Sequence, residues 1–178
     1  WFLTDNSMSC QLIKSARDVN DYMPNHVVRM IKSATKDIEN PIVTILGVAY
    51  KGNVSDARET PAHRIIKLAE NEGIHVRCHD PLVKHFEKEL ETLNEATSNS
   101  DCVVLVTDHD VFRTINPLQL AMRNKNLIDT RNCLDHDMWV GAGFTVKVLG
   151  NSEMLRPVPE IEATQVKGKP LVEQRITS

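Results

Sequence analysis

Apolar residues recur first at three- and four-residue steps and then in short continuous runs. The chain therefore reads as a long helix followed by alternating strands and helices. Met8, Leu12, Ile13, Ala16, Val19, Met23, Val27, Met30, Ile31 and Ala34 form a helical stripe through residues 1–40. Pro24 falls inside that stripe, which predicts a kink or the start of a second helix, because proline lacks an N–H and crowds the preceding turn. Asn20 or Asp21 is placed to cap such a second helix. Asn40-Pro41 ends the pattern. An apolar stripe of this kind needs a partner, either the rest of the chain or a larger body.

Strand-like runs follow at 42–50, 74–78, 102–107, 126–129 and 144–149. Between the first two lies a helix at 61–71, with Thr60 as its N-cap, Pro61 at its first position and Gly73 at its exit. Further helical stretches are predicted at 82–93 and 117–122, with a short turn at 109–115. Strands alternating with helices imply right-handed crossovers and a parallel sheet covered on both faces. Val103-Val104-Leu105-Val106 has the continuous apolar character of a strand buried on both sides. The expected fold is α/β: a Rossmann-like doubly wound parallel sheet of about five strands, preceded by a helical segment. The expected organisation is a helical part at 1–40, the sheet domain at 41–150, and a tail or arm at 151–178, where Pro157, Pro159 and Pro170 space out mixed charges.

Composition narrows the function. The 178 residues carry 21 basic and 24 acidic side chains, so the basic surplus of a nucleic-acid binder is absent. Aromatic residues make up 4%, too few for a base-stacking surface. No run approaches the length of a membrane span. The four cysteines, Cys10, Cys78, Cys102 and Cys133, contain no CxxC pair, which speaks against structural zinc or a redox pair. Cys78 and Cys102 lie in apolar runs and read as buried thiols in a reducing, cytoplasmic setting. His75 and His79 flank Cys78 without a matching ligand set, so no metal is expected. A G-x-S-x-G elbow is also absent.

Chemistry concentrates at the carboxyl ends of the strands, where ligands bind in such sheets. The first strand runs into Gly47-Val48-Ala49-Tyr50-Lys51-Gly52-Asn53-Val54-Ser55-Asp56-Ala57-Arg58-Glu59-Thr60. This loop lacks the G-x-G-x-x-G of a dinucleotide site. Its Lys51 and Arg58 suit an anionic ligand, unless Arg58 is spent on Asp56 or Glu59. Arg131, after the fourth strand, falls on the same edge, unless it pairs with Asp129 or Asp135. Asp80 reads as a turn residue, and the acids and histidine of Thr107-Asp108-His109-Asp110 read as caps of the short helix that follows.

The motifs together resemble one family. Gly47-Val48-Ala49-Tyr50-Lys51, then Asp56-Ala57-Arg58-Glu59-Thr60-Pro61-Ala62, is similar to the hallmark loop of the UDP-glucose/UDP-N-acetylmannosamine 6-dehydrogenases. Ala16-Arg17 with Asn20, Met23 and Pro24 resembles the family's helix motif, and Asp80-Pro81, the segment from Thr107 to Phe112, and Asp129-Thr130-Arg131-Asn132 fall in the family's order. The resemblance covers about residues 1–150 and is to the C-terminal UDP-binding portion plus the end of the central helical domain. Trp1-Phe2-Leu3 resembles the stretch just after the family's catalytic cysteine, which would lie before Trp1, so no catalytic residue is assigned in this chain.

The resemblance implies NAD-dependent oxidation of a UDP-sugar C6 alcohol to a carboxylate through a covalent cysteine adduct. It implies Tyr50, Lys51 and Arg131 as substrate-binding residues and Arg58 as a cofactor-binding one. It also implies a homo-oligomer in the full-length protein. The Trp1-Phe2 opening and Asp108-His109 look more like the N-acetylhexosamine branch, oxidising UDP-N-acetylmannosamine, than the UDP-glucose branch. Two rival readings are a stand-alone nucleotide-binding module and an oligomerisation piece driven by the helical stripe. With nucleophile and NAD domain expected upstream, the purified chain should not reduce NAD in the presence of a UDP-sugar. Turnover by the chain alone would overturn that expectation.

Overall fold

The computed structural model describes residues 11–151 and 154–155. Met8, Cys10, the Trp1-Phe2-Leu3 opening and nearly all of the expected tail lie outside the described residues.

The first helix, α1 (Gln11–Ala34), runs as a single element through Pro24, so neither Asn20 nor Asp21 caps a second helix. Proline inside a helix costs about 3 kcal/mol. Here Pro24 is itself buried, as are Val27, Val28, Met30 and Ile31. Each such aliphatic side chain returns roughly 1.5–3 kcal/mol on burial, so tertiary packing overrides the local break. The front half of α1 differs: Leu12, Ile13 and Val19 are 80%, 53% and 63% exposed.

Strands β1 (Ile42–Leu46), β2 (His75–His79), β3 (Cys102–Leu105), β4 (Asn126–Asp129) and β5 (Thr145–Val148) are parallel. A short β6 (Met154–Leu155) pairs antiparallel with β5, giving six strands in the order β2-β1-β3-β4-β5-β6. The sequence reading missed β6. The chain leaves β1 toward β2 on one side and returns to β3 on the other, so the crevice between the ends of β1 and β3 is the switch point of the sheet.

Side-chain alternation divides the core in two. Val43, Ile45, Cys102, Val104 and Ile128 meet α1 and α2 (Pro61–Asn71) on one face. Leu46, Val103, Leu105, Leu127, Val146 and Val148 meet Phe112, Trp139 and Phe144 on the other. Trp139 sits on α4 (His136–Gly141), a helix not anticipated, and packs edge-on against Phe144 at 4.8 Å between ring centroids. Its start carries a signal in Asp135, whose side chain accepts from Met138 N–H as an N-cap. Helix α2 forms as expected, with the Thr60 side chain accepting from Ala62 N–H.

The expected helix at 82–93 does not exist. Asp80 accepts from the N–H groups of Leu82 and Val83 and turns the chain after Pro81. The chain then follows an irregular course to the outer edge of β2, where Leu90 bridges Cys78 and Glu91 N–H donates to Cys78 C=O. This covers an edge strand that would otherwise present unpaired groups. Helix α3 (Leu93–Thr97) begins only where Thr92 and Glu95 form a reciprocal capping box. The segments 109–115 and 117–122 shorten to 3₁₀ turns at Asp110–Thr114 and Pro117–Gln119.

β1 stops at Gly47, which has a φ of +83° and lies so close to Thr107 that a Cβ would stand 2.5 Å from the Thr107 Cβ. Gly47→Ala should lower stability in urea unfolding by roughly 2–4 kcal/mol, combining the left-handed backbone penalty with overpacking.

Candidate functional site

The loop from Gly47 to Thr60 is held by side chains from two neighbouring strand ends, those of β2 and β3. Asp80, one residue past β2, is buried. Its Oδ2 accepts from Val48 N–H at 2.7 Å and Ala49 N–H at 3.2 Å, and from His109 Nε2 at 3.0 Å. Its Oδ1 accepts from Leu82 and Val83 N–H at 2.9 and 3.1 Å. Burial raises the pKa of this carboxyl, but donors from Leu82, Val48, His109 and Val83 together outweigh it and hold the group below its ordinary value of 3.8. The sequence reading of Asp80 as a turn residue covers only the Oδ1 half of this arrangement.

On the β3 side, Thr107 Oγ1 donates to Ala49 C=O at 2.8 Å, and Thr60 Oγ1 donates to the same carbonyl at 3.2 Å. His109 makes no side-chain cap of the turn that follows, contrary to expectation. It is fully buried, and its Nδ1 accepts from Asn53 N–H at 2.8 Å. Asn53 and Asp110 complete the clamp: Asn53 Nδ2 donates to Asp110 Oδ2 at 2.8 Å, and Asp110 N–H donates to Asn53 Oδ1 at 3.0 Å. Gly52 packs on the Asp108 carbonyl, 2.5 Å from where a Cβ would be.

Tyr50 and Lys51 therefore ride on a loop fastened at Ala49 and again at Asn53. Tyr50 is 61% exposed, with its N–H donated to Asp56 C=O at 2.7 Å. Lys51 is exposed, and none of the ion pairs among the described residues includes it. Arg58 is paired with Asp56, Nη2 to Oδ2 at 2.7 Å, one of the two local pairings the sequence left open. The hydrogen bonds from the Arg58 side chain and N–H draw Asp56 down to about 2. The Arg58 side chain is 88% exposed, so this pair is worth little to stability.

Arg131 follows β4, but its partner is neither Asp129 nor Asp135. Its guanidinium pairs with Asp108 at 3.1 Å. Asp129 is occupied with backbone: Oδ1 accepts from Arg131 and Asn132 N–H, both at 2.8 Å, and Oδ2 from Cys133 and Leu134 N–H. His136 Nε2 adds a further contact to Oδ2 at 3.0 Å. Burial again raises the Asp129 pKa, and His136 with the backbone donors of Leu134, Arg131 and Cys133 overrides it downward. The structure thus brings Arg131 and the Lys51 loop onto one segment, 108–110, and places Arg58 further along the same loop on its own carboxylate. The sequence did not reveal the roles of Asp80, Asp108 and His109. The available signal was an acid standing immediately after an apolar strand.

None of the described cysteines is prepared as a nucleophile. Burial pushes the Cys78 thiol up to about 12 and moves Cys102 and Cys133 upward as well. Among the described residues no group of acids, histidines and cysteines has the arrangement of a metal site, and no helix is long and apolar enough to cross a membrane.

Residues 44–136 match the model of the UDP-glucose/GDP-mannose dehydrogenase family, UDP binding domain. A UDP-N-acetyl-D-mannosamine dehydrogenase of Methanococcus maripaludis is 43% identical over 158 residues, which is 85% of this chain and 37% of that protein. That of Methanocaldococcus jannaschii is 38% identical over 159 residues, 86% of this chain and 37% of the relative. The chain thus spans little more than a third of the length of these relatives. Among solved structures, a UDP-D-ManNAc dehydrogenase from Pyrococcus horikoshii superposes with a TM-score of 0.72 at 28% identity, over 83% of this chain and 35% of that one.

The depressed carboxyls of Asp80 and Asp129 give an acid dependence. A carboxyl whose folded pKa is lowered adds stability above its unfolded value, and that stability is lost as pH falls through the folded value. Stability should therefore be level above about pH 5 and fall as pH drops below the ordinary carboxylate range, read by urea unfolding at a series of pH values. Asp129→Asn turns an amide donor toward backbone N–H groups, so it should cost about 1–3 kcal/mol near neutral pH and flatten the acid slope.

Proposed function

The chain belongs to the UDP-glucose/GDP-mannose dehydrogenase family, and on that premise we propose that it forms the UDP-sugar wall of an NAD-dependent dehydrogenase. The proposed reaction oxidises the C6 alcohol of UDP-N-acetylmannosamine to the uronate. The sugar assignment is supported by the names of the relatives at 38–43% identity.

One observation carries the reading: the Lys51 loop and Arg131 both dock on the segment 108–110 at the switch point of the sheet. A diphosphate is an anion that a lysine and a forked arginine on one edge can hold together. In this proposal Lys51 acts as a point charge, Arg131 exchanges Asp108 for phosphate or sugar oxygens, and Tyr50 lies against the substrate. Arg58, released from Asp56, reaches toward NAD, which would accept hydride from C6 when bound. The chain's own loop has no glycine-rich dinucleotide pattern, so the proposal gives the rest of the NAD site, and the nucleophile, to other parts of the enzyme. The raised thiols of Cys78, Cys102 and Cys133 support that division. A homo-oligomer is proposed for the whole enzyme, supported by the exposed Leu12, Ile13 and Val19 of α1. A cytoplasmic setting is proposed from the reading of Cys78 and Cys102 as buried thiols.

Calorimetric titration of the chain with UDP tests the site. Lys51→Ala and Arg131→Ala should each weaken binding by about 1.5–3 kcal/mol, the range for a hydrogen bond to a charged group. Binding that neither substitution changes, or no binding at millimolar UDP, would overturn the assignment for this chain.

A further inference from the structure

Two ends of one turn hang on one buried pair of side chains. Val48 and Ala49 N–H reach Asp80 Oδ2, and Asn53 N–H reaches His109 Nδ1, while His109 Nε2 lies 3.0 Å from the same Asp80 oxygen. Asp80 and His109 side chains have no solvent exposure. Since Nδ1 accepts from an amide, the ring proton sits on Nε2 and points at Asp80. A neutral imidazole offers an acceptor and a donor on opposite sides of one rigid ring, which is what this bridge uses. Between the two anchors lie Tyr50 and Lys51. Asn53 at the far anchor has a φ of +59°, a left-handed conformation that needs support from its surroundings. It receives that support from 109–110 on three hydrogen bonds.

We propose that His109, oriented by Asp80, is a positioning residue: by accepting the Asn53 N–H it sets the Gly52–Asn53 backbone and thereby where Lys51 stands for a bound diphosphate. The last step of this inference rests on the proposed UDP site, whereas the first can be read in the ligand-free chain. His109 touches no substrate in this scheme. Its effect passes entirely through the loop.

Two substitutions separate the ring's two polar edges. His109→Asn keeps an acceptor near the Nδ1 position and loses the donor to Asp80. His109→Gln keeps a donor near the Nε2 position and loses the acceptor for Asn53. Both remove the same ring packing against Phe112, whose centroid lies 5.4 Å from that of His109. A difference between the variants therefore reports the polar contact and not the loss of bulk.

The measurements are hydrogen exchange at the Asn53 amide, nitrogen NMR of the His109 ring, and UDP titration, on the native chain and both variants. In the native chain the ring should be protonated at Nε2 only and the Asn53 amide protected. His109→Gln should speed Asn53 exchange about tenfold, as expected for one lost hydrogen bond, with a smaller increase in His109→Asn, whose acceptor remains but is no longer oriented by Asp80. UDP affinity should follow the same order, falling about tenfold in His109→Gln and less in His109→Asn. A ring protonated at Nδ1, an unprotected Asn53 amide in the native chain, or equal effects of the two variants would each overturn the positioning role, and the first two need no variant to fold. Native exchange as expected with no UDP binding would overturn the UDP site alone. Altered exchange with unchanged UDP affinity would overturn the link from loop to ligand.

Discussion

The carboxylate of Asp80 is the constraint on which the functional edge depends. It is buried, charged, and reached by four backbone N–H groups and a histidine ring. A buried charge without partners would be prohibitive. With its lone pairs filled it becomes a rigid hub, because removing any donor leaves the charge undercompensated. Through it the end of β2 fixes the first residues after β1 and reaches the His109 ring after β3. Gly47 permits this by bringing β1 against Thr107 closer than any side chain would allow. The switch-point crevice is therefore a preorganised surface rather than a set of independent loops.

Asp129 repeats the device on the other side of the crevice. It stands at the end of β4, collects the N–H groups of Arg131, Asn132, Cys133 and Leu134, and so shapes the turn that presents Arg131. At this edge Asp80 and Asp129 organise backbone, while the exposed Asp56 and the partly exposed Asp108 hold arginines. This division matters electrostatically. A screened surface pair such as Arg58–Asp56 exchanges partners at little cost, whereas the buried hubs do not. A phosphate entering the proposed site would compete with carboxylates on the arginines and with water alone at Lys51.

Helix α1 joins two environments. Its second half is part of the sheet domain's core through Val27, Val28, Met30 and Ile31. Its first half carries apolar side chains that the described residues leave exposed. The stripe of this one continuous helix is thus buried along only half of its length. Pro24 sits within it without ending it, because buried packing there outweighs one missing hydrogen bond.

Local pattern was enough to determine the five parallel strands, the helix at Pro61–Asn71 with its Thr60 cap, and the edge on which Tyr50, Lys51 and Arg131 stand. Those features follow from side-chain period, capping chemistry and strand direction, all of which act over a few residues. Tertiary structure alone decided the rest. Residues 82–91 have helical composition, but the Asp80 turn at one end and the Leu90 bridge to the edge of β2 at the other hold them as irregular chain. His109 has the look of a cap residue, yet a strand-end carboxylate 29 positions earlier and an amide 56 positions earlier claim both of its nitrogens. Arg131 passes over the nearby Asp129, whose oxygens the backbone has already filled, and pairs with Asp108 from another strand end. Hydrogen-bond partners are assigned by competition among groups brought together only when the sheet closes. A linear sequence states which groups compete, and the fold states which of them wins.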